Sequence, residues 1–448
     1  MYDLIVIGAG PGGYEAAAYA AKLGKKVALF EKAELGGTCL NVGCIPAKTL
    51  LRSARAFEEC LEAERYGIRG ASDATLDLNA VQDRKETIIA TLKKGVAAML
   101  KRSGVEVIHA EARLAGRGKV VADGQTYEAA NILLATGSVP ACPPIPGLRD
   151  NPVVLDSTGL LALRDIPADL IIIGGGVIGL EFATFFATAG SKVTIIEMMP
   201  RIAPVVDDEI AKRLMADMKR QGIEFLLSCR VQKIEGNVLT YTDADGKEAT
   251  LTGDRILSAI GRVPVLANLG LEETGVAFER RGIRTDEFGK TNVPGIWACG
   301  DCTGRMQLAH VATREGIVAV HNMFGTPDRM RYGAIPSVIY THPEVAQVGA
   351  TEAELQERKI PYRKAVMPMA IAGRFMVEND GKAGTVKVLV SEEHGQILGV
   401  HMIGGCCGEY IAAAAAMVET EQRVSDVRQI VFPHPTQAEA LKETILHA

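Results

Sequence analysis

The chain has 448 residues, 48% of them hydrophobic and 23% charged, with a formal net charge of −5. That length exceeds one hydrophobic core and calls for roughly two to four domains. The mild negative balance gives no electrostatic reason for a nucleic-acid or anionic-membrane partner, and the best membrane-span candidate, residues 170–190, carries Glu181 in its middle.

The opening residues MYDLIVIGAGPGG hold few apolar side chains before their glycines, so they read as a first strand and not as a signal peptide. Nine cysteines in such a chain argue for a reducing cytoplasm, where a surviving disulfide is catalytic. Gly8, Gly10 and Gly13 follow the strand and open an alanine-rich helix. The first two glycines suit a tight turn and close approach to a pyrophosphate; the third lets the helix pack on its strand. A second strand, 26–30, ends at Glu31, placed to accept from a ribose hydroxyl. A glycine cluster alone would be weak evidence, but strand, glycines, helix, strand and acid in that order describe a dinucleotide site.

The stretch GGTCLNVGCIPAK, residues 36–48, carries Cys39 and Cys44 just before a helix-compatible run, with Pro46 where a first-turn proline belongs. A thiol at a helix N-terminus meets the positive end of the dipole, so Cys44 should ionise readily. Gly36, Gly37 and Gly43 give a short loop the freedom to bring two sulfurs together. Helices to about residue 66 and over 81–102 follow, then short strands at 105–109, 112–114 and 119–122. Residues 131–135 run into Thr136-Gly137-Ser138, and a proline-rich break at 140–146 marks a domain boundary nearby.

From residue 170 the opening pattern returns. A strand at 170–173 leads to Gly174, Gly176 and Gly179, and a strand at 193–196 ends at Glu197. First glycine and acid are 23 positions apart in both copies, 8 to 31 and 174 to 197. The repeat means two dinucleotides on two βαβ units. Glu197 can accept from a free 2′-hydroxyl and would repel a 2′-phosphate, which favours NAD over NADP, although Arg201 is not far away.

A strand at 256–260 closes in Gly261-Arg262-Val263-Pro264, and residues 291–304 form a buried strand ending at Asp301, an acid placed for a ligand hydroxyl. Ala309 and His310 follow closely on that turn. Cys299 and Cys302 supply half of a four-ligand metal site at most, and the adjacent Cys406-Cys407 do not match ligand spacing, so all four read as packing residues and no metal is expected. Beyond residue 331 the composition turns to strands at 337–340, 385–389 and 397–402 with helices at 408–420 and 424–430, an α+β layer. Near the end, His434 sits between Pro433 and Pro435, and Glu439 starts a helical run that can reach back to orient the imidazole as a base.

The motifs GAGPGG, GGTCLNVGCIPAK, ATGS, GGGVIGLE, AIGRVP, GDCTG, YTHPEVAQVG and HPTQAE together resemble the pyridine nucleotide–disulfide oxidoreductases, within them the dihydrolipoamide dehydrogenases, over essentially the whole length. The resemblance implies an α/β fold: two Rossmann-like dinucleotide-binding domains plus a C-terminal α+β dimerisation domain. The divisions would be 1–150 and 271–330 for FAD, 151–270 for NAD and 331–448 for the interface. FAD would lie on Gly8, Gly10, Gly13 and Glu31, with Asp301 on its ribityl chain, Thr136 and Gly137 nearby, and Gly261, Ala309 and His310 among the cofactor contacts. NAD would lie on Gly174, Gly176, Gly179 and Glu197, and Lys48 and Glu181 would form an ion pair beside the flavin. Cys39 would exchange with substrate and Cys44 contact the flavin, while His434 and Glu439 would serve the partner chain of a homodimer. Lipoyl domains of a 2-oxoacid dehydrogenase complex or the glycine cleavage system would be the substrates. Glutathione- and mercuric-reductase-like enzymes, or a structural subunit with diaphorase activity, are the rival readings. The chain departs from the family pattern at Ala47, Val265, Trp297, Cys299 and Cys406-Cys407.

Overall fold

The computed structural model describes residues 1–379 and 383–448. The strand Tyr2–Ile7 is buried along its last four residues because helices cover one face of its sheet, over Leu4 and Val6, and the antiparallel strands Ala112–Leu114 and Lys119–Ala122 cover the other, over Ile5 and Ile7. It pairs in parallel with Val27–Glu31 on one side and Gln125–Leu134 on the other, so the chain leaves it in two directions. Glu106–His109 and Ile296–Ala298 complete the parallel sheet at its two edges. A crevice for ligands opens at the carboxyl ends of the strands where such a reversal occurs.

The second unit repeats this layout. Its five parallel strands run in the spatial order Glu224–Leu226, Lys192–Ile196, Asp169–Ile173, Arg255–Ser258 and Val154–Leu155. Each unit also carries an antiparallel meander. In the second it is Arg230–Glu235, Val238–Thr242 and Glu248–Thr252. In the first, the meander's third strand continues into the parallel sheet as the single element Gln125–Leu134, ten residues long where the apolar pattern marked only its buried end.

The third sheet is antiparallel, ordered Ser337–Ile339, Val345–Gly349, Ile397–Ile403, Thr385–Ser391 and Tyr362–Pro368. Helices Cys407–Glu419 and Glu439–Leu446 pack their buried residues on one face, against Val386, Val388 and Val390. The alternate residues of the central strands, Lys387 among them, face the other way and are buried as well. The helix anticipated at 424–430 is shorter, Val424–Val427. Among the described residues no helix is long and apolar enough to cross a membrane.

Candidate functional site

The two glycine turns are built alike. Gly8 has φ +104° and Gly174 φ +110°, and a Cβ on either would fall 2.3 or 2.5 Å from a carbonyl oxygen of the neighbouring strand end, Ala135 or Ala259. A Cβ on Gly13 or Gly179 would strike the carbonyl of Gly8 or Gly174. Gly10 and Gly176 differ: each precedes a twelve-residue helix, has no side-chain cap, and faces open space within 4 Å of an added Cβ. A helix start without a side-chain cap, beside open space, fits a pyrophosphate, so both turns suit a dinucleotide.

The acids are repeated too. Glu31 accepts from the N–H groups of Ala9 at 2.7 Å and Ala33 at 2.8 Å; Glu197 accepts from Gly175 at 2.6 Å and Met199 at 2.7 Å. These bonds fix both carboxylates at the strand ends and leave lone pairs for ribose hydroxyls. Arg201 is committed elsewhere: its guanidinium donates to the carbonyls of Ala203, Pro204 and Val206 and lies 3.4 Å from Asp208.

One cavity of about 3030 Å³ contains both turns, both acids, Cys39, Cys44, Lys48 and Glu181. Cys39 and Cys44 form a disulfide with their Cα atoms 4.7 Å apart. The segment between them is not the anticipated loop. Cys39 lies in the short helix Gly37–Val42, Gly43 breaks it, and Cys44 is the first residue of the eighteen-residue helix Cys44–Leu61. No acid occupies that helix's first turn, so its dipole acts unopposed on Cys44. Lys48, one turn further on, reaches Glu181 at 2.7 and 2.9 Å. Glu181 also accepts from the N–H of Tyr340 at 3.1 Å, and the Lys48 ammonium stands 4.5 Å from the Tyr340 ring. Segments of all three units therefore meet on one carboxylate.

On the opposite wall, Asp301 accepts from the Ser138 hydroxyl. Arg262 donates to Ser138 Oγ at 2.8 Å and Ser138 O at 2.7 Å, and reaches Thr38 Oγ1, beside Cys39, at 3.4 Å. Burial pulls the Arg262 guanidinium below its usual range, opposed by the charge of Asp301. Thr136 donates to the carbonyl of Val265 at 3.0 Å, and the N–H of Val265 returns a bond to Gly137. The side chain at position 265 is thus irrelevant to this tie. Gly261 lines the cavity at φ +103°; Ala309 begins the helix Ala309–Met323, and exposed His310 bonds the Pro336 carbonyl at 2.9 Å. Sequence reasoning missed Ser138, Arg262 and Tyr340. The signal for Arg262 was a lone charge between a buried strand and Val263-Pro264.

His434 and Glu439 are joined at 2.8 Å through Nδ1, and Glu439 also accepts from the N–H of Thr436 at 2.9 Å. Those two donors, Thr436 first, hold the Glu439 carboxyl below its usual range. His434 leaves its other nitrogen to solvent, its side chain 77% exposed. Neither residue lines the cavity that holds Cys39. Cys299, Cys302 and Cys407 are buried, and burial pushes the Cys302 thiol up to about 12.

A redox disulfide between two dinucleotide turns defines a nicotinamide-linked flavin disulfide oxidoreductase. The family model "pyridine nucleotide-disulphide oxidoreductase" matches residues 2–316, and its dimerisation domain matches residues 335–445. The chain belongs to this family. It is 41% identical to dihydrolipoyl dehydrogenase 3 of Pseudomonas aeruginosa, over 99% of this chain and 97% of the relative. It is 39% identical to the dihydrolipoyl dehydrogenase of Chlamydia muridarum, over 100% and 97%. A solved structure, the HOCl-induced flavoprotein disulfide reductase RclA from Escherichia coli, superimposes with a TM-score of 0.88 at 30% identity, over 99% of both chains.

Proposed function

We propose that the chain acts as a dihydrolipoyl dehydrogenase, a homodimer that oxidises the dithiol of lipoyl domains and delivers the electrons to NAD+. The observation that carries this reading is the Cys39–Cys44 disulfide at a helix N-terminus, in one cavity with both glycine turns. FAD would be held on Gly8, Gly10, Gly13 and Glu31, with Asp301, Thr136 and Gly137 along its length, and would supply the two-electron carrier between the dithiol and NAD+; Gly261, Ala309 and His310 line the same cavity as further cofactor contacts.

The remaining work belongs to the chain. His434 of one subunit, oriented by Glu439, accepts a proton from a substrate thiol. The substrate thiolate attacks Cys39, a mixed disulfide forms, and Cys44 leaves as a thiolate stabilised by its helix. The second substrate thiolate displaces Cys39, so the substrate disulfide forms as the protein pair becomes dithiol. Lys48 places a cation one turn from Cys44 and is itself fixed by Glu181. Gly174, Gly176 and Gly179 receive the NAD+ pyrophosphate, and Glu197 accepts from the ribose hydroxyls and repels a 2′-phosphate. Cytoplasmic residence rests on the seven unpaired cysteine thiols, Cys60 and Cys142 among them exposed.

The test is anaerobic. The holoenzyme mixed with free dihydrolipoamide and NAD+ should form NADH at the rate at which the dithiol is consumed. Reduction of a disulfide by NADPH, with no dithiol-dependent NADH formation, would favour the glutathione-reductase type of reading.

A further inference from the structure

The second glycine turn is braced by a segment whose far end is held by the third domain. Gly175, in the middle of that turn, donates its N–H to Glu197 at 2.6 Å and accepts on its carbonyl from the N–H of Ala203 at 2.8 Å. Ile202 packs against it, 3.2 Å from where a Cβ would lie. Residues 198–207 therefore form a strap beneath the turn. Ala203 is fully buried in the left-handed region, φ +45°, a conformation that costs energy in a residue with a Cβ and persists where its surroundings impose it. Arg201 gathers the strap by bonding three of its carbonyls.

The strap's last residues reach across to the antiparallel sheet. Gln347, His401 and Lys387 are direct cross-strand neighbours, in register on three adjacent strands, forming a row on the face turned from the helices. Gln347 donates to the Val205 carbonyl at 2.6 Å and accepts from the N–H of Asp207 at 3.2 Å. Lys387, 1% exposed, bonds both oxygens of Asp207 at 2.9 and 3.0 Å and also pairs with Glu352 and Glu209. His401 sits between them, 3.3 Å from Gln347 and 3.0 Å from the Ala350 carbonyl. Asp207 in turn caps the helix Asp208–Arg220. A buried ammonium surrounded by carboxylates fixes position more than it adds stability, because desolvation offsets its Coulomb gain.

We infer that Gln347 and Lys387, on the dimerisation domain, are positioning residues for the NAD+ pyrophosphate turn, acting through the strap from Met198 to Asp207. The inference rests on the proposed function in taking NAD+ as the ligand of that turn. Its consequence is that the coenzyme site depends on a domain that contributes no glycine turn of its own. Loosening the strap should weaken NAD+ binding while leaving the disulfide, some distance along the cavity, untouched.

The experiment uses flavin-loaded Gln347→Leu and Lys387→Met dimers, compared with the wild type in two measurements. NAD+ dissociation constants come from direct titration, and the rate of disulfide reduction comes from anaerobic dithiol mixing without NAD+. Gln347→Leu keeps the side-chain bulk and loses both strap bonds, so NAD+ affinity and 1/KM for NAD+ should fall on the order of 10-fold with single-turnover reduction of the disulfide by dithiol unchanged. Lys387→Met should do the same or more; if it does not fold, Gln347→Leu decides. Unchanged NAD+ affinity in Gln347→Leu would overturn the inference. So would an equal loss in both measurements, which marks general destabilisation. Direct NAD+ titration keeps the result readable even if the dithiol proves not to be dihydrolipoamide, since that failure appears in the wild type.

Discussion

Replacing Gly10, Gly13 or Gly176 by alanine separates what the glycine turns do for folding from what they do for ligands. A Cβ on Gly13 would sit 1.8 Å from the Gly8 carbonyl oxygen and 3.3 Å from the Ala135 side chain. Backbone lies on that side, and no flexible side chain can yield, so Gly13→Ala should cost at least the ~1–3 kcal/mol typical of overpacking in the apoprotein. Gly10 has φ −72° and ψ −179°, an extended conformation open to any residue, and its Cβ would meet nothing within 4 Å. Gly10→Ala should therefore leave apoprotein stability within about 0.5 kcal/mol of the wild type. The methyl group instead fills the approach path of the pyrophosphate. The same ~1–3 kcal/mol then appears in flavin binding, a loss of roughly 5- to 150-fold in affinity. Gly176→Ala should repeat this at the second site, raising the KM for NAD+ while flavin content stays full. Thermal melts of the apoproteins and fluorescence titration with FAD measure both quantities. An apoprotein melting point lowered as much by Gly10→Ala as by Gly13→Ala, or wild-type FAD affinity in Gly10→Ala, would refute this reasoning.

Three further outcomes follow from the geometry. His434→Gln should slow dithiol oxidation ~10²-fold or more with flavin still bound, because it removes the proposed base, and steady-state turnover with dihydrolipoamide checks this. Lys48→Met leaves Glu181, whose side chain is 7% exposed, without its cation; it should cost about 3 kcal/mol in urea denaturation, and adding Glu181→Gln should recover most of the loss. Burial alone would raise the Glu352 carboxyl, but bonds from Lys387, Lys364 and Tyr362 outweigh it and bring it to about 2 from an ordinary 4.5. A folded pKa below the unfolded one gives stability that is full above about pH 4.5 and lost as pH falls toward about 2, so Glu352→Gln should flatten the acid limb of stability measured between about pH 3 and 6.

What was legible in the sequence was what local backbone chemistry imposes. Each glycine turn must satisfy its own strand, helix and acid within 23 positions, so Gly8 to Glu31 and Gly174 to Glu197 announce themselves. The His434–Glu439 pair is legible for the same reason, five positions apart at a helix start. Contacts made across the fold left no such trace. Arg262 meets Thr38 across 224 positions and Ser138 across 124, and Tyr340 meets Glu181 across 159. The strand Gln125–Leu134 outran its apolar signal because its first half pairs in an exposed meander, where alternation is weak. The cysteine segment misled through its glycines: they read as loop, whereas Gly36 and Gly37 lead into a helical turn and Gly43 ends it. Arg201 was a potential phosphate contact in the sequence and a brace in the structure.

On the proposed function, the disulfide of one chain works with the histidine of the other. Cys39→Ser and His434→Gln chains, each inactive as a homodimer, can be co-expressed with different tags and the mixed dimer purified. If the base crosses the interface, every mixed dimer has one site with both defects and one with neither, so dihydrolipoamide oxidation returns at about half the wild-type rate per dimer. If His434 served the cysteines of its own chain, each site of the mixed dimer would carry one defect, and no activity would return.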